Sequence, residues 1–173
     1  MNNIKLTKPF YSRPATELAP LLLGKLLCRE ISGETIKRRI TETECYYGET
    51  DTACHARRGR TERTQVMYGA GGIAYIYLCY GIHYLLNVVT GGEGHPQAVL
   101  IRGVEGAGGP GLLTKALLID RTLNGRELCK ANGLWIEDDG FIAEYTAAKR
   151  VGIGYASEED RNRLWRYIIK SEE

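Results

Sequence analysis

Cysteines are few in this sequence, and none of them stands in a C-x-x-C pair. The chain of 173 residues contains five, an odd number: Cys28, Cys45, Cys54, Cys79 and Cys129. A disulfide scaffold uses cysteines in pairs, and zinc sites commonly use two closely spaced ligands. We therefore expect neither a disulfide framework nor a bound metal. Cys54 is followed directly by His55, but residues adjacent in sequence rarely form a thiol–imidazole catalytic pair.

Long apolar runs are absent as well. No stretch approaches the roughly 20 apolar residues that a membrane-spanning helix needs. The opening residues, MNNIKLTKPFYSRP, lack the apolar segment of a secretory signal. The sequence therefore predicts a cytoplasmic protein with no membrane partner.

Charge of one sign is not in large excess, since 23 Lys and Arg face 21 Asp and Glu, which gives a net charge of +2. A chain this close to neutral does not bind nucleic acid through its overall charge. Positive charge is nevertheless concentrated at Arg57, Arg58, Arg60 and Arg63. Such a cluster is typical either of a solvated surface or of contacts to phosphates.

The glycine-rich segment 106–111, GAGGPG, lacks the lysine of a nucleoside triphosphate loop. A Walker motif places Lys and then Ser or Thr directly after its last glycine, whereas Leu112 and Leu113 follow here. We therefore expect no triphosphate site. A helix that begins after Pro110 could still bind a phosphate through its free amides.

The length suits one domain, residues 1–173, and 43% hydrophobic with 25% charged residues is typical of a globular protein. Periodicity and turn residues predict strands over 25–31, 34–47, 73–80, 82–90 and 97–104, and a small hairpin over 135–142. They predict helices over 14–23, 51–55, 64–68, 112–119 and 126–132. Because the strands run mostly in hairpins, the expected fold class is α+β, an antiparallel sheet with surrounding helices.

The segment 41–60, TETECYYGETDTACHARRGR, concentrates the candidate functional residues. Its first half reads as a strand with one face formed by Ile36, Arg38, Ile40, Glu42, Glu44 and Tyr46. Glu44 and Tyr46 then point the same way, about 7 Å apart. A carboxylate beside an aromatic ring suits a pocket that stacks a flat ring and directs water at its attachment point. Exposed strand glutamates are often only solvated, and Glu42 is an equal candidate on this pattern alone.

This segment resembles the signature of the alkyladenine (3-methylpurine) DNA glycosylase family, a Glu-Thr-Glu-Ala-Tyr strand followed by an Ala-His-Ser/Ala-Arg loop. Here the strand reads ETECY over residues 42–46, and the loop reads CHAR over residues 54–57. The resemblance continues in order through residues 10–25, 67–90, 97–106, 109–120 and 150–154. It therefore covers nearly the whole chain.

The resemblance implies a monofunctional DNA glycosylase of base excision repair. Such an enzyme flips a damaged purine out of double-stranded DNA, hydrolyses its N-glycosidic bond and leaves an abasic site. The implied substrates are 3-methyladenine, 7-methylguanine, hypoxanthine and ethenoadenine. The family also implies a protruding β-hairpin that inserts into DNA, a monomer with no obligatory protein partner, no cofactor, and a place in the bacterial cytoplasm or nucleoid.

The resemblance also assigns roles to individual residues. Glu44 would be the general base, and it would hold a water together with Arg102 and the main-chain carbonyl of Val151. From the residues alone, a structural salt bridge is the alternative role for Arg102.

The damaged base would stack between Tyr46 on one side and Tyr77 with His55 on the other. Asn87 would face the purine edge, and the backbone amide of His55 would donate to it. Tyr80 would wedge into the gap left by the flipped nucleotide. The four arginines of the cluster, Arg57, Arg58, Arg60 and Arg63, would contact DNA phosphates.

Two other function classes remain compatible with the residues. A module that recognises distorted DNA without cutting it would use the same tyrosines and arginines, but it gives Glu44 and Arg102 no role. A small-molecule hydrolase or transferase with the same sheet needs neither the arginine cluster nor a tyrosine at a hairpin tip. Incubation with duplexes that contain damaged purines separates the three.

Overall fold

A ten-stranded sheet runs through the molecule, and the computed structural model describes residues 2–171 of the chain. The strands are β1 (Ile4–Lys5), β2 (Leu26–Ile31), β3 (Glu34–Tyr47), β4 (Ala74–Cys79), β5 (His83–Val89), β6 (Gln97–Val104), β7 (Ala107–Gly108), β8 (Leu134–Asp138), β9 (Tyr145–Ala148) and β10 (Arg166–Ile169). The α-helices are α1 (Lys8–Tyr11), α2 (Ala15–Leu21), α3 (Pro110–Ala116) and α4 (Glu158–Asn162). Short 3₁₀ segments cover His55–Arg58, Thr64–Tyr68, Arg121–Leu123 and Lys130–Asn132.

The strand pairings are antiparallel, and the main path through the sheet is β1-β8-β2-β3-β6-β5-β4. The long strand β3 joins the two parts of this sheet. Its first half pairs with β2, and its second half lies between β6 and β10. The expected α+β class, an antiparallel sheet with a few helices, is confirmed. No helix within residues 2–171 is both long and apolar enough to cross a membrane.

Alternation of side chains along β4, β5 and β6 separates the two faces of the sheet. One face packs against α2 and α3 in the main core, and its strand residues include Ile76, Leu86, Val88, Val99 and Ile101. The opposite face carries Tyr75, Val89 and Ala98, which pack with Cys54 and Met67 in a second cluster. The loops that contain residues 51–68 cover this second face, which also carries the candidate site residues of the three strands.

The sequence-based prediction of a single face on β3 is wrong; it comprised Ile36, Arg38, Ile40, Glu42, Glu44 and Tyr46. Ile40 pairs with Val104 and Glu42 pairs with Gly103, so β3 has one extra residue at this point. A bulge of this kind reverses which face the following side chains occupy. Ile40 therefore belongs to the main core and Ile36 packs against it, whereas Tyr46 packs against the second cluster.

The helix expected over residues 126–132 is largely absent, because the backbone there pairs with the start of β4. Leu128 N donates to Gly72 O at 2.8 Å, and Ala74 N donates to Arg126 O at 2.9 Å. Only Lys130–Asn132 form a 3₁₀ turn. These tertiary hydrogen bonds override the helical periodicity of the local sequence.

The hairpin expected over residues 135–142 is also wrong. β8 pairs with β1 and β2, and residues 139–142, the expected second half of the hairpin, are not in a strand. The carboxylates of Asp138 and Asp139 accept hydrogen bonds from the amides of Gly140 and Phe141, at 2.8 and 3.2 Å. Such side-chain bonds favour a turn over continued strand pairing.

Gly71 provides a test of the packing that holds the start of β4. A Cβ at this position would lie 2.1 Å from the carbonyl oxygen of Tyr11, so the backbone would have to move. We expect Gly71→Ala to lower the free energy of unfolding by roughly 2 kcal/mol or more. Gly108→Ala is the matched control, because no atom lies within 4 Å of its added Cβ. Chemical denaturation of both variants measures the difference, and equal stabilities would show that residue 71 is not constrained in this way.

Candidate active site

A cavity of about 760 Å³ opens on the second face of the sheet. Its buried wall includes Asn87 and Leu100, which are 4% and 2% exposed. Its outer part includes Tyr80, Leu112 and Val151, which are 88%, 59% and 46% exposed. The cavity thus runs from the strands to an exposed apolar rim, and it has room for a planar ring system.

Glu44 lies behind the wall of this cavity and has no exposed surface. The Tyr46 hydroxyl donates to Glu44 Oε2 at 2.8 Å, and the Val151 backbone N–H donates to Glu44 Oε1 at 2.7 Å. Arg102 Nε lies 3.7 Å from Oε1. All three partners line the cavity, so Glu44 is one residue removed from it. The expectation that Glu44 and Tyr46 point the same way is confirmed.

Opposing effects act on the pKa of the Glu44 carboxyl. Burial raises it above its ordinary value, while the positive charge of Arg102 and the hydrogen bonds from Val151 and Tyr46 lower it, and the net direction is upward. Glu44 is therefore a stronger proton acceptor than an exposed glutamate, provided that it is ionised.

Arg102 reaches Glu44 because β6 has an irregularity. Glu42 pairs with Gly103 and Thr43 pairs with Ile101, which leaves Arg102 as the extra residue on its strand. Bulges next to functional sites often redirect a side chain. Arg102 Nε also donates to Glu42 Oε1 at 3.3 Å, and Arg166 Nη1 donates to the same oxygen at 3.0 Å. Glu42 is thus engaged by two arginines, and Glu44 is the carboxylate that contacts Tyr46.

The aromatic side of the cavity is formed by His55, Tyr75 and Tyr77. The ring centroids of His55 and Tyr77 are 4.5 Å apart at an interplanar angle of 70°, and those of Tyr75 and Tyr77 are 5.5 Å apart. His55 Nδ1 shares a hydrogen bond of 3.0 Å with the Tyr75 hydroxyl. Burial, reinforced by the charges of Arg63 and Arg57, lowers the pKa of His55 to about 4. The imidazole is therefore neutral at pH 7.

Asn87 lies in β5 directly opposite Tyr75 of β4, and only 4% of it is exposed. Its Nδ2 donates to the backbone carbonyl of Tyr75 at 3.2 Å. This bond fixes the orientation of the amide in the cavity wall, since an unpaired buried amide would cost about 1–3 kcal/mol.

Tyr80 stands in the tight turn between β4 and β5. Tyr80 and Gly81 have positive φ angles of 51° and 66°, and Ile82 N donates to Cys79 O at 3.1 Å, which describes a type I′ hairpin turn. A non-glycine residue in the left-handed region costs about 1–2 kcal/mol. The tyrosine ring is held at the tip, 88% exposed, next to Ile82 at 71%.

Three of the four clustered arginines stack on tyrosine rings. The guanidinium carbons of Arg57, Arg60 and Arg63 lie 4.7, 5.5 and 5.0 Å from the centroids of Tyr155, Tyr68 and Tyr77. Arg63 also lines the cavity, while Arg58 is exposed. Within residues 2–171 none of the four lies in an ion pair. Their charges are thus not neutralised by neighbouring carboxylates.

A buried ion pair between Asp51 and Arg150 was missed by the sequence analysis. Asp51, the first residue of the helix expected over residues 51–55, instead binds Arg150 through both carboxylate oxygens, at 2.6 and 2.9 Å. The 3₁₀ segment begins later, after Cys54. The sequence offered one signal for this ion pair: Arg150 directly precedes Val151, in the segment 150–154 that resembles the family. In the described part of the chain, no cluster of His, Cys, Asp or Glu is arranged to hold a metal ion.

The sequence of this chain is similar to a known protein family and to several named proteins. The family model described as methylpurine-DNA glycosylase matches residues 9–108 and 105–173. A protein of Borrelia garinii subsp. bavariensis, named "Putative 3-methyladenine DNA glycosylase", is 45% identical over 174 residues, 93% of this chain and 94% of its own. Proteins of the same name occur in Borreliella burgdorferi strain ZS7, with 46% identity over 175 residues (93% and 94% covered), and in Methanocella arvoryzae, with 42% over 186 residues (96% and 92%).

The lowered pKa of His55 predicts a pH dependence of stability. An unfolded chain protonates this histidine near its ordinary pKa of 6.5, whereas the folded protein protonates it at about 4. The contribution of neutral His55 is therefore complete above pH 6.5 and is lost as the pH falls towards 4. The difference corresponds to roughly 3 kcal/mol in the free energy of unfolding.

Chemical denaturation at a series of pH values between 7 and 4 measures this loss. We expect His55→Gln to remove most of it, because glutamine does not titrate. His95→Gln, at an exposed histidine, is the control and should retain it. A wild-type and a His55→Gln protein with the same pH dependence would contradict the assignment.

Proposed function

The chain belongs to the methylpurine-DNA glycosylase family, and from this membership we propose that it removes alkylated and deaminated purines from double-stranded DNA through the cavity beside Glu44. Family membership makes it an enzyme that hydrolyses N-glycosyl bonds in DNA. The finer proposal extends the substrates from 3-methyladenine to 7-methylguanine, hypoxanthine and ethenoadenine. The observation that carries it is the buried carboxylate of Glu44 between Arg102, Val151 and Tyr46.

In the proposed reaction, a water bound beside Glu44 attacks the anomeric carbon of the damaged nucleotide. Glu44 takes a proton from this water, the carbon–nitrogen bond breaks, and its electron pair leaves with the base. Positive charge develops on the sugar as the bond lengthens. A carboxylate in a low-dielectric site stabilises that charge more strongly than an exposed one. We propose that Arg102 and the main-chain carbonyl of Val151 orient the water, and the contacts of both residues with Glu44 support this proposal.

The cavity walls suit a flat and often cationic base. Tyr46 would stack on one side of the base, and Tyr77 with His55 on the other, and such stacking is worth about 1–3 kcal/mol per base. Bases alkylated at N3 or N7 are positively charged and are attracted to electron-rich rings. A protonated His55 would repel such a base, so its lowered pKa favours binding at neutral pH. We propose that Asn87 faces the purine edge and disfavours the amino group of normal guanine.

The hairpin of β4 and β5 is proposed to insert into DNA at Tyr80. An exposed ring at a rigid turn can fill the gap that a flipped nucleotide leaves. The four arginines of the cluster, Arg57, Arg58, Arg60 and Arg63, are proposed to contact phosphates, because none of them lies in an ion pair within residues 2–171 and Arg63 lines the cavity.

The proposed product is an intact abasic site. No lysine occurs among the described residues that line the cavity, so these residues offer no amine for a Schiff base with the sugar. The test is incubation with duplex oligonucleotides that carry hypoxanthine, ethenoadenine or 7-methylguanine, followed by alkali cleavage of abasic sites. Binding without abasic sites would support a recognition module and overturn the proposal.

Glu44→Gln tests the general base. The variant keeps the side-chain volume and loses the charge that is needed only as the bond breaks. We expect the single-turnover excision rate to fall by about 10²–10⁴-fold while affinity for lesion DNA changes little. Glu42→Gln is the matched control on the same strand, and its loss should be much smaller. The assignment is wrong if Glu42→Gln is inactive and Glu44→Gln is not.

Tyr80→Ser tests the inserting residue. Because the ring lies outside the cavity's buried part, its loss should lower the population of flipped nucleotide and leave the chemical step intact. Excision of hypoxanthine from a stable pair should therefore fall more than excision from a mismatch, which opens at lower cost. Single-turnover rates on both duplexes give the comparison. Equal losses would indicate that Tyr80 does not act as a wedge.

A further inference from the structure

The Asp51–Arg150 pair is the most deeply buried ion pair near the candidate active site. The side chains of Arg150 and Asp51 are 0% and 1% exposed. Arg150 also donates to the carbonyls of Cys45 and Asp160, at 2.9 and 3.3 Å. Taking two charges out of water is costly, and such pairs often add little net stability. Their position relative to the site is therefore the informative feature.

Arg150 lies against the back of the proposed base-stacking ring. Its guanidinium carbon is 5.0 Å from the centroid of Tyr46 and 5.0 Å from that of Trp165. Tyr46 lines the cavity, whereas Arg150 does not. The guanidinium thus covers the face of the Tyr46 ring that is turned away from the cavity, and the opposite face is left for a base.

This arrangement poses an electrostatic problem for a cationic base. A positive charge on one face of an aromatic ring attracts its electron density and repels a second cation on the other face. Asp51 binds the guanidinium through both oxygens and brings a negative charge to the same place. The pair is neutral overall, so the ring remains attractive to a cation.

We infer that Asp51 is a specificity-determining residue, which neutralises Arg150 and so keeps the Tyr46 ring receptive to positively charged bases. This inference rests on the proposed function. Arg150 also holds the chain next to Val151, whose N–H contacts Glu44, and it is a positioning residue for both Tyr46 and Glu44. A merely structural role of Asp51 would lower the excision rates of all bases alike. The proposed role predicts instead a change in the relative rates for cationic and neutral bases.

The test compares excision of 7-methylguanine, which is cationic, with excision of ethenoadenine, which is neutral, in single turnovers with enzyme in excess. In Asp51→Asn the guanidinium loses its counter-charge, and we expect the 7-methylguanine/ethenoadenine rate ratio to fall roughly 2- to 30-fold, the range of a cation–π contact. In the double variant Asp51→Asn with Arg150→Met no charge remains behind the ring, and the ratio should return towards the wild-type value. An unchanged ratio in Asp51→Asn overturns the inference.

Asp160→Asn is the control for damage to the local fold. Asp160 is buried in the same region and accepts from Thr52 and Arg163, but its side chain does not bind Arg150. Its variant should lose stability and retain the wild-type ratio. A fall in the ratio for Asp160→Asn as large as that for Asp51→Asn would also overturn the inference.

If Asp51→Asn does not fold, Arg150→Met answers the question with the opposite sign. It leaves the Asp51 carboxylate without its cation, so the ratio should rise even though both rates fall. A ratio that stays constant or falls contradicts the inference. A wild-type protein that excises neither base contradicts the proposed function. If the wild-type protein excises both bases, the rate ratios of the variants test the role of Asp51.

Discussion

The ionised state of a fully buried carboxylate depends on what replaces water around it, and the site is built around this requirement at Glu44. A cation, a backbone N–H and a hydroxyl take the place of water, and they come from Arg102, Val151 and Tyr46. These groups belong to β6, to the loop before α4 and to β3 itself. The pairing of the strands and the path of that loop must therefore both be correct before Glu44 can carry its charge.

The loop is held in turn by charges that never reach the cavity. Arg150 precedes Val151 and is fixed by Asp51, by two carbonyls and by the rings of Tyr46 and Trp165. The same guanidinium lies near enough to Glu44 to lower its pKa, although burial has the larger and opposite effect. Positioning and electrostatics therefore act through the same side chain, and neither can be altered alone by changing Arg150.

Local patterns predicted the parts of the fold that depend on local chemistry. The bounds of β3 and β6 agree with the strands predicted over residues 34–47 and 97–104, and the turn after β4 falls at Gly81 as expected. The bulge in β3 and the extended backbone around Leu128 depend on partners far along the chain, which no local pattern contains.

In the candidate site, too, contacts between residues close in sequence were predictable, whereas contacts between distant residues were not. Glu44 and Tyr46 are two residues apart on one strand, so their contact followed from the sequence. Asp51 and Arg150 are separated by 99 positions, and nothing in the composition pairs them. Arg102 was an evident candidate only because the family resemblance named it.

Two costs in this structure bear on the choice between function classes. Burying the Glu44 carboxylate costs several kcal/mol of desolvation, which a DNA-recognition module would incur for no gain in affinity. Holding Tyr80 in a left-handed conformation, with 88% of the residue exposed, costs about 1–2 kcal/mol and buries almost nothing in the free protein. A hydrolase of small molecules would benefit from the buried Glu44 carboxylate but not from the exposed Tyr80. An enzyme that must both enter a duplex and break a bond would give a purpose to each, since under the proposed function the tyrosine is buried only in the complex with DNA and the carboxylate is needed only in the transition state.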